Sequence, residues 1–191
     1  MKAQSPLLLF FAVCLAAVAA GCGTTVEYGD ARAVETLTVD FGSTDLQMIA
    51  EKMVRSMLAA PVIAEANRPV LQVSAVRNQT GEHIDTKAIT DKIRTTLIQS
   101  GKVLFTASDA RQEMVDELQY QRDSGYVDPS TRTPMGRHVG ASYLLTGDIA
   151  SIRKSKDNTK DVYYKITLNL VDLATGLIAW TDEKEIRKRE K

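Results

Sequence analysis

Apolar side chains follow one another without a period from Pro6 to Ala20, and the next sustained pattern does not begin until residue 44. There Leu46, Ile49, Ala50, Met53, Val54, Met57 and Leu58 recur at steps of three and one, the stripe of a 3.6-residue period. The stripe predicts a helix opened by Thr44, which forms a capping box with Gln47, and stopped by Pro61. The thioethers of Met53 and Met57 fill irregular gaps in a core. Pro69 to Val76 is apolar on both faces and predicts a central strand, followed by a loop over Asn78 to Glu82. Asp85 caps a second helix with Ile89, Ile93 and Leu97 facing inward, and Gly101 closes it. After a short strand from Val103 to Thr106, Ser108 opens a third helix through Met114, Val115 and Leu118 to about Arg122.

Past Arg122 the period switches to two. An irregular loop from Gly125 to Arg137 carries Pro129 and Pro134, and a strand runs from Tyr143 to Lys154. Asp157, Asn158 and Thr159 turn the chain into Val162–Leu173, where Tyr164, Ile166, Leu168 and Leu170 alternate with Tyr163, Lys165, Thr167 and Asn169. Ala174, Thr175 and Gly176 make a tight turn, and Leu177 to Ile186 pairs back. The order of elements predicts an α/β fold, a mixed β-sheet of about four to five strands packed with three helices. Gly23 to about Phe41 reads as a polar tether, in which Leu37, Val39 and Phe41 could form a strand.

The leading apolar run is short for a membrane span and ends in Ala19-Ala20-Gly21-Cys22. Small residues before a cysteine let a signal peptidase reach the backbone, and the Cys22 thiol then carries diacylglycerol. An ordinary secretory signal cut nearby, leaving Cys22 a free thiol, is the alternative. Gly23 follows in place of the Asp that retains lipoproteins in the inner membrane, so the expected address is the periplasmic face of the outer membrane. The chain divides into a signal peptide (1–21), a lipidated cysteine with a short tether (22–41) and one periplasmic domain (42–191). Cys14 leaves with the signal, so the mature domain has no disulfide and is held by its core alone.

Charge is balanced, with 24 Lys and Arg against 24 Asp and Glu, so no global field draws nucleic acid. The basic tail from Glu185 to Lys191 reads as a solvated terminus. Ser151 and Lys154 match the S-x-x-K motif, but on a strand they point to opposite faces, where lysine cannot serve the hydroxyl. His83 and His138 stand alone, and no phosphate loop or nucleophile elbow appears. We expect no catalysis, metal or cofactor, and a monomer whose function lies in a surface. The loop from Tyr126 to Arg137 is the candidate, with Tyr126, Arg132 and Arg137 of the types that dominate binding hot spots. The competing reading has Tyr126 packing the loop and both arginines solvated.

Several stretches together resemble one family. They are Ser43-Thr44-Asp45-Leu46 with Met53-Val54, Asn78 through Asp85-Thr86, Ser100-Gly101-Lys102-Val103, and Ser124 through Pro129. Gly140-Ala141 with Leu145-Thr146-Gly147, and Thr175-Gly176 ahead of Trp180, continue the match. The chain from about Phe41 is similar to the LpoB-like lipoprotein activators of penicillin-binding proteins. That resemblance implies a domain akin to the N-terminal domain of TolB. It also implies binding to a small non-catalytic domain of a bifunctional penicillin-binding protein, whose glycosyltransferase and transpeptidase activities it stimulates in cell-wall synthesis. Enterobacterial members carry a long proline-rich linker after the lipid, and the tether here has no proline. A CsgG-like secretion lipoprotein shares the Gly140–Gly147 strand, but no spare alternating segments remain for its barrel. A structural envelope adaptor is the third reading.

Overall fold

The computed structural model describes residues 26–35 and 37–190. A compact unit begins at Val34, so residues 34–41 lie within it. Of the separate unit ending at Ala33, the described residues form an exposed turn in which Ala33 N donates to Asp30 O at 3.0 Å.

Among the described residues four α-helices, α1 (Ser43–Ala59), α2 (Pro61–Ala64), α3 (Thr86–Gln99) and α4 (Arg111–Asp123), accompany six strands. The strands are β1 (Val70–Val73), β2 (Arg77–Gln79), β3 (Leu104–Phe105), β4 (Tyr143–Lys156), β5 (Thr159–Asp172) and β6 (Ile178–Glu190). The sheet is mixed, in the order β3-β1-β4-β5-β6, with the first three parallel and the last three antiparallel. One face of β4, β5 and β6 is closed by α1, whose Ile49, Met53 and Met57 are at most 1% exposed. Packed with them are Ile89, Ile93 and Leu97 of α3 and Leu145, Ile149, Tyr164, Ile166, Leu168 and Leu170 of the sheet. Burying side chains of this size stabilises by about 1.5–3 kcal/mol each, which is how a chain without a disulfide in this unit holds together.

Three local readings are corrected. The expected strand Pro69–Val76 with a loop after it is two strands end to end along one edge of β4. Val73 pairs with Leu145, but Arg77 pairs with Asp148, so one extra residue is inserted between them. This is a β-bulge. It turns Val76 into the core at 3% exposure and carries pairing on to Gln79. The α1 cap is made by Asp45, not by Thr44 with Gln47: Asp45 Oδ2 accepts from Gly42 N at 2.9 Å. No strand forms over the described part of 35–41, because Val39 and Phe41 insert into the core from an irregular strap.

The remaining signals hold where they were local. Asp85 Oδ1 accepts from Lys87 N (3.0 Å) and Ala88 N (3.2 Å), and Gly101 takes φ 70° after α3. Asp157 takes φ 52° in the two-residue β4–β5 turn. Gly176 takes φ 73° after Asp172 Oδ1 has accepted from Ala174 and Thr175. Strand β6 runs to Glu190 instead of stopping at Ile186.

Gly147 is required by contact. A β-carbon there would collide with the Thr167 carbonyl and lie 2.7 Å from Leu168 Cδ2, whereas at Gly140 it meets nothing within 4 Å. Gly147→Ala is expected to lower unfolding free energy by about 2–4 kcal/mol, and Gly140→Ala by less than about 0.5 kcal/mol. Urea denaturation of the two variants side by side checks this.

Candidate partner-binding surface

The run Asn78–Thr86 folds into a loop in which most polar side chains have a local task. Asn78 Oδ1 accepts from Thr80 N (2.9 Å) and Thr80 Oγ1 (2.7 Å), while Asn78 Nδ2 donates to Glu82 O (2.8 Å). Glu82 N donates to Thr80 Oγ1 (3.1 Å), and Thr86 Oγ1 donates to Val76 O (2.8 Å). The loop delivers the Glu82 carboxylate to three groups. It accepts from Phe41 N at 3.1 Å, from the Tyr164 hydroxyl and from Arg153 Nη2. Arg153 also reaches Asp40 Oδ1 at 3.0 Å, and the Tyr164 hydroxyl approaches Val39 O at 3.2 Å.

From the other side Lys188 of β6 donates to Asp40 O at 2.6 Å and to Asp45 Oδ2 at 3.0 Å. Asp45 is 2% exposed. Burial pushes the Tyr164 phenol above its usual range, against the nearby Arg153. The cluster pins the strap 37–42 to the sheet.

Among the described residues no helix covers the outer face of β5 and β6, which is polar. Arg187 donates to both Asp161 oxygens (2.9 and 2.6 Å), and Arg189 adds 3.2 and 2.7 Å contacts to Oδ2. These hydrogen bonds, Arg187 first and then Arg189, hold the Asp161 carboxyl far below the ordinary carboxylate range. Lys165 meets Glu183 at 2.6 Å, and a hydrogen bond to Glu185 raises the Tyr163 phenol. The tail read as a solvated terminus is therefore the end of β6, with one lysine in the cluster under the strap and two arginines on Asp161.

At the opposite end of β4 lie α4 and the loop after it. No α4 residue is fully buried; Met114, Val115 and Leu118 are half-buried. Between α4, the edge strand β3 and residues 138–141 runs a groove of about 540 Å³ lined by Val70, Leu104, Met114 and Val139 among others. The loop folds back on α4. Gln121 Oε1 accepts from Thr133 N at 2.9 Å, and Arg122 Nη1 lies 3.3 Å from Met135 Sδ. Asp128 caps the turn Pro129–Thr131 by accepting from Ser130 N and Oγ, which lowers its own pKa. Leu104, Tyr120, Met135 and Val139 add apolar surface, each 41% exposed or more.

The three candidate residues meet different fates. Tyr126 projects its ring into solvent at 86% exposure while its N–H donates to Ser124 Oγ at 3.2 Å. Arg132 turns inward, and its Nε and Nη2 donate to Val127 O at 3.3 and 3.0 Å, so it shapes the loop. Arg137 is exposed. His83 and His138 are exposed and remote in sequence, and no group of three metal-ligating side chains occurs among the described residues. Ser151 and Lys154 do lie on strand β4. Cys22 falls outside the described residues. The cluster under the strap escaped the sequence reading. Its one visible signal is the even-numbered, core-facing phase of β6, where Asp182, Lys184 and Lys188 alternate with Trp180 and Ile186.

The domain is thus a mixed sheet with a closed ionic cluster at one end and an open loop surface at the other. The family model for the peptidoglycan-synthase activator LpoB matches residues 45–186, and the chain belongs to that family. Among solved structures it is similar to the LpoB C-terminal domain from Salmonella enterica, with 20% identity over 74% of this chain and 98% of that one and a TM-score of 0.47. The corresponding Escherichia coli domain gives 21% identity, the same coverage and 0.46. Lipoprotein GNA1162 from Neisseria meningitidis gives 13% identity over 63% of this chain and 83% of that one, with 0.40. No curated protein matches.

Glu82→Gln removes the charge that faces Arg153 and weakens the hold on Phe41. The expected cost is about 1–3 kcal/mol, with faster hydrogen exchange at residues 39–42. Lys87→Ala, which breaks exposed pairs with Asp91 and Asp109, should leave the urea midpoint unchanged.

Proposed function

We propose that the chain is a lipoprotein acylated at Cys22, held on the periplasmic face of the outer membrane, that binds a bifunctional penicillin-binding protein and raises its glycan polymerisation. The family match over residues 45–186 carries this reading. The loop surface supports it: Tyr126 stands out from a backbone fixed by Asp128, Arg132 and Gln121, so little conformational freedom is lost when the ring is covered. Tyr126 and Arg137 face the partner, and Arg132 acts by holding the loop. The activator works as an allosteric ligand that binds the active synthase better than the inactive one. A coupling of about 1–3 kcal/mol corresponds to a shift of roughly 5- to 150-fold.

The test is glycan polymerisation by the cognate synthase with and without soluble Gly23–Lys191. Stimulation that saturates is expected, with Tyr126→Ala weakening it about tenfold while leaving the melting temperature unchanged. No binding and no stimulation at high domain concentration would remove the activator reading. In cells, Cys22→Ser should release the protein from membranes, and fatty-acid labelling that persists in that variant would remove the anchor.

A further inference from the structure

The two ends of the sheet carry opposite charge. Around the β4–β5 turn and the end of β6, residues 153–161 and 187–190 hold seven lysines and arginines against three carboxylates. Arg153 and Lys188 are engaged under the strap, Arg187 and Arg189 share Asp161, and Lys160 pairs with Glu190 at 3.1 Å on the exposed rim of the tip. Lys154 and Lys156 are exposed and have no ion-pair partner among the described residues. From Ser108 to Asp128, by contrast, six carboxylates stand against two arginines. The basic tip and this acidic region are separated by the length of β4, fourteen residues or roughly 45 Å.

The chain enters the compact unit at the basic end, since Val34 lines a groove with Arg187, Lys188, Arg189 and Glu190. Twelve residues connect Cys22 to Val34, and a flexible chain of that length has a root-mean-square span of about 20 Å. A lipid at Cys22 would hold the tip close to the bilayer on which it is anchored. Charge is felt over about 10 Å at 0.1 M salt, so the tip samples the surface field and the acidic region does not.

We propose that Lys154, Lys156, Lys160 and Arg189 at this tip form a contact for anionic phospholipid headgroups, which stands the domain upright on its anchoring membrane with the Tyr126 loop pointing away. The inference rests on lipidation at Cys22. An anionic surface attracts the tip, and repels the acidic region only when the domain tilts that region within reach of the field. The contact therefore sets orientation, while the acyl chains supply the anchoring that a few cations alone would not.

The experiment uses the mature chain with a hexahistidine tag in place of Cys22, bound to nickel-chelating lipid in vesicles. A single fluorophore sits at Asn158→Cys or at Gln119→Cys, with energy-transfer acceptors on the headgroups. Transfer from position 158 should rise about threefold when roughly 30% of a neutral lipid is replaced by phosphatidylglycerol. It should fall back at about 1 M salt and in Lys154→Gln/Lys156→Gln/Lys160→Gln. Transfer from position 119 should not rise. Equal transfer from 158 on neutral and anionic vesicles, or closer approach of 119, would overturn the proposal. So would a flat vesicle signal with tip-dependent binding to purified peptidoglycan, which would give the tip to the wall polymer. Because the tag replaces the acyl chains, a native chain found without lipid at Cys22 would overturn the anchor reading while the vesicle result stood by itself.

Discussion

Glu82 is where three separated pieces of the chain are made to agree. Its carboxylate receives the Phe41 amide from the strap, the Tyr164 hydroxyl from β5 and the Arg153 guanidinium from β4. A charge with little solvent around it is stable only when its lone pairs are all answered. That requirement fixes where the Asn78–Thr86 loop must stand, and thereby where α3 starts and where the strap crosses the sheet. Phe41 lies edge-on to the Tyr164 ring, 5.7 Å between centroids, so the apolar and ionic contacts of the strap are made by the same two residues.

The surface proposed for binding lies at the other end, where packing is loosest. Helix α4 has no fully buried residue, and the loop that follows is built from short-range bonds to Asp128, Gln121 and Arg132. Such a segment can be held in shape without contributing to the core, which leaves its side chains free to meet a partner. Keeping it distant from the strap means that contacts made there need not disturb the ionic cluster.

What could be read in the sequence was what repeats or what acts over three or four residues. The stripe of α1, the Asp85 cap, the alternation of β5 and the turns at Asp157 and Gly176 all lay within one window. The bulge between Val73 and Arg77 did not, since one inserted residue leaves no periodic trace. The end of β6 was missed because its alternation is between charges, and only its pairing with Asp161, Asp40 and Asp45 gives those charges a reason to be in a strand. Arg132 was legible as a type but not as a role: nothing nearby in sequence says that its guanidinium closes on the Val127 carbonyl. The mixed sheet and the helices followed from element order, and the family from scattered short motifs.

The ties from Lys188 to Asp40 and Asp45 join residues 148 and 143 positions apart. Contacts so distant along the chain are the slowest to close, because the whole intervening loop must be ordered first. Part of the strap's hold is therefore made only when the final strand is present, while Glu82, Arg153 and Tyr164 supply the rest from earlier in the chain. A polypeptide whose last few residues are still emerging lacks those two ties. The first part of the domain to be made is completed by the last.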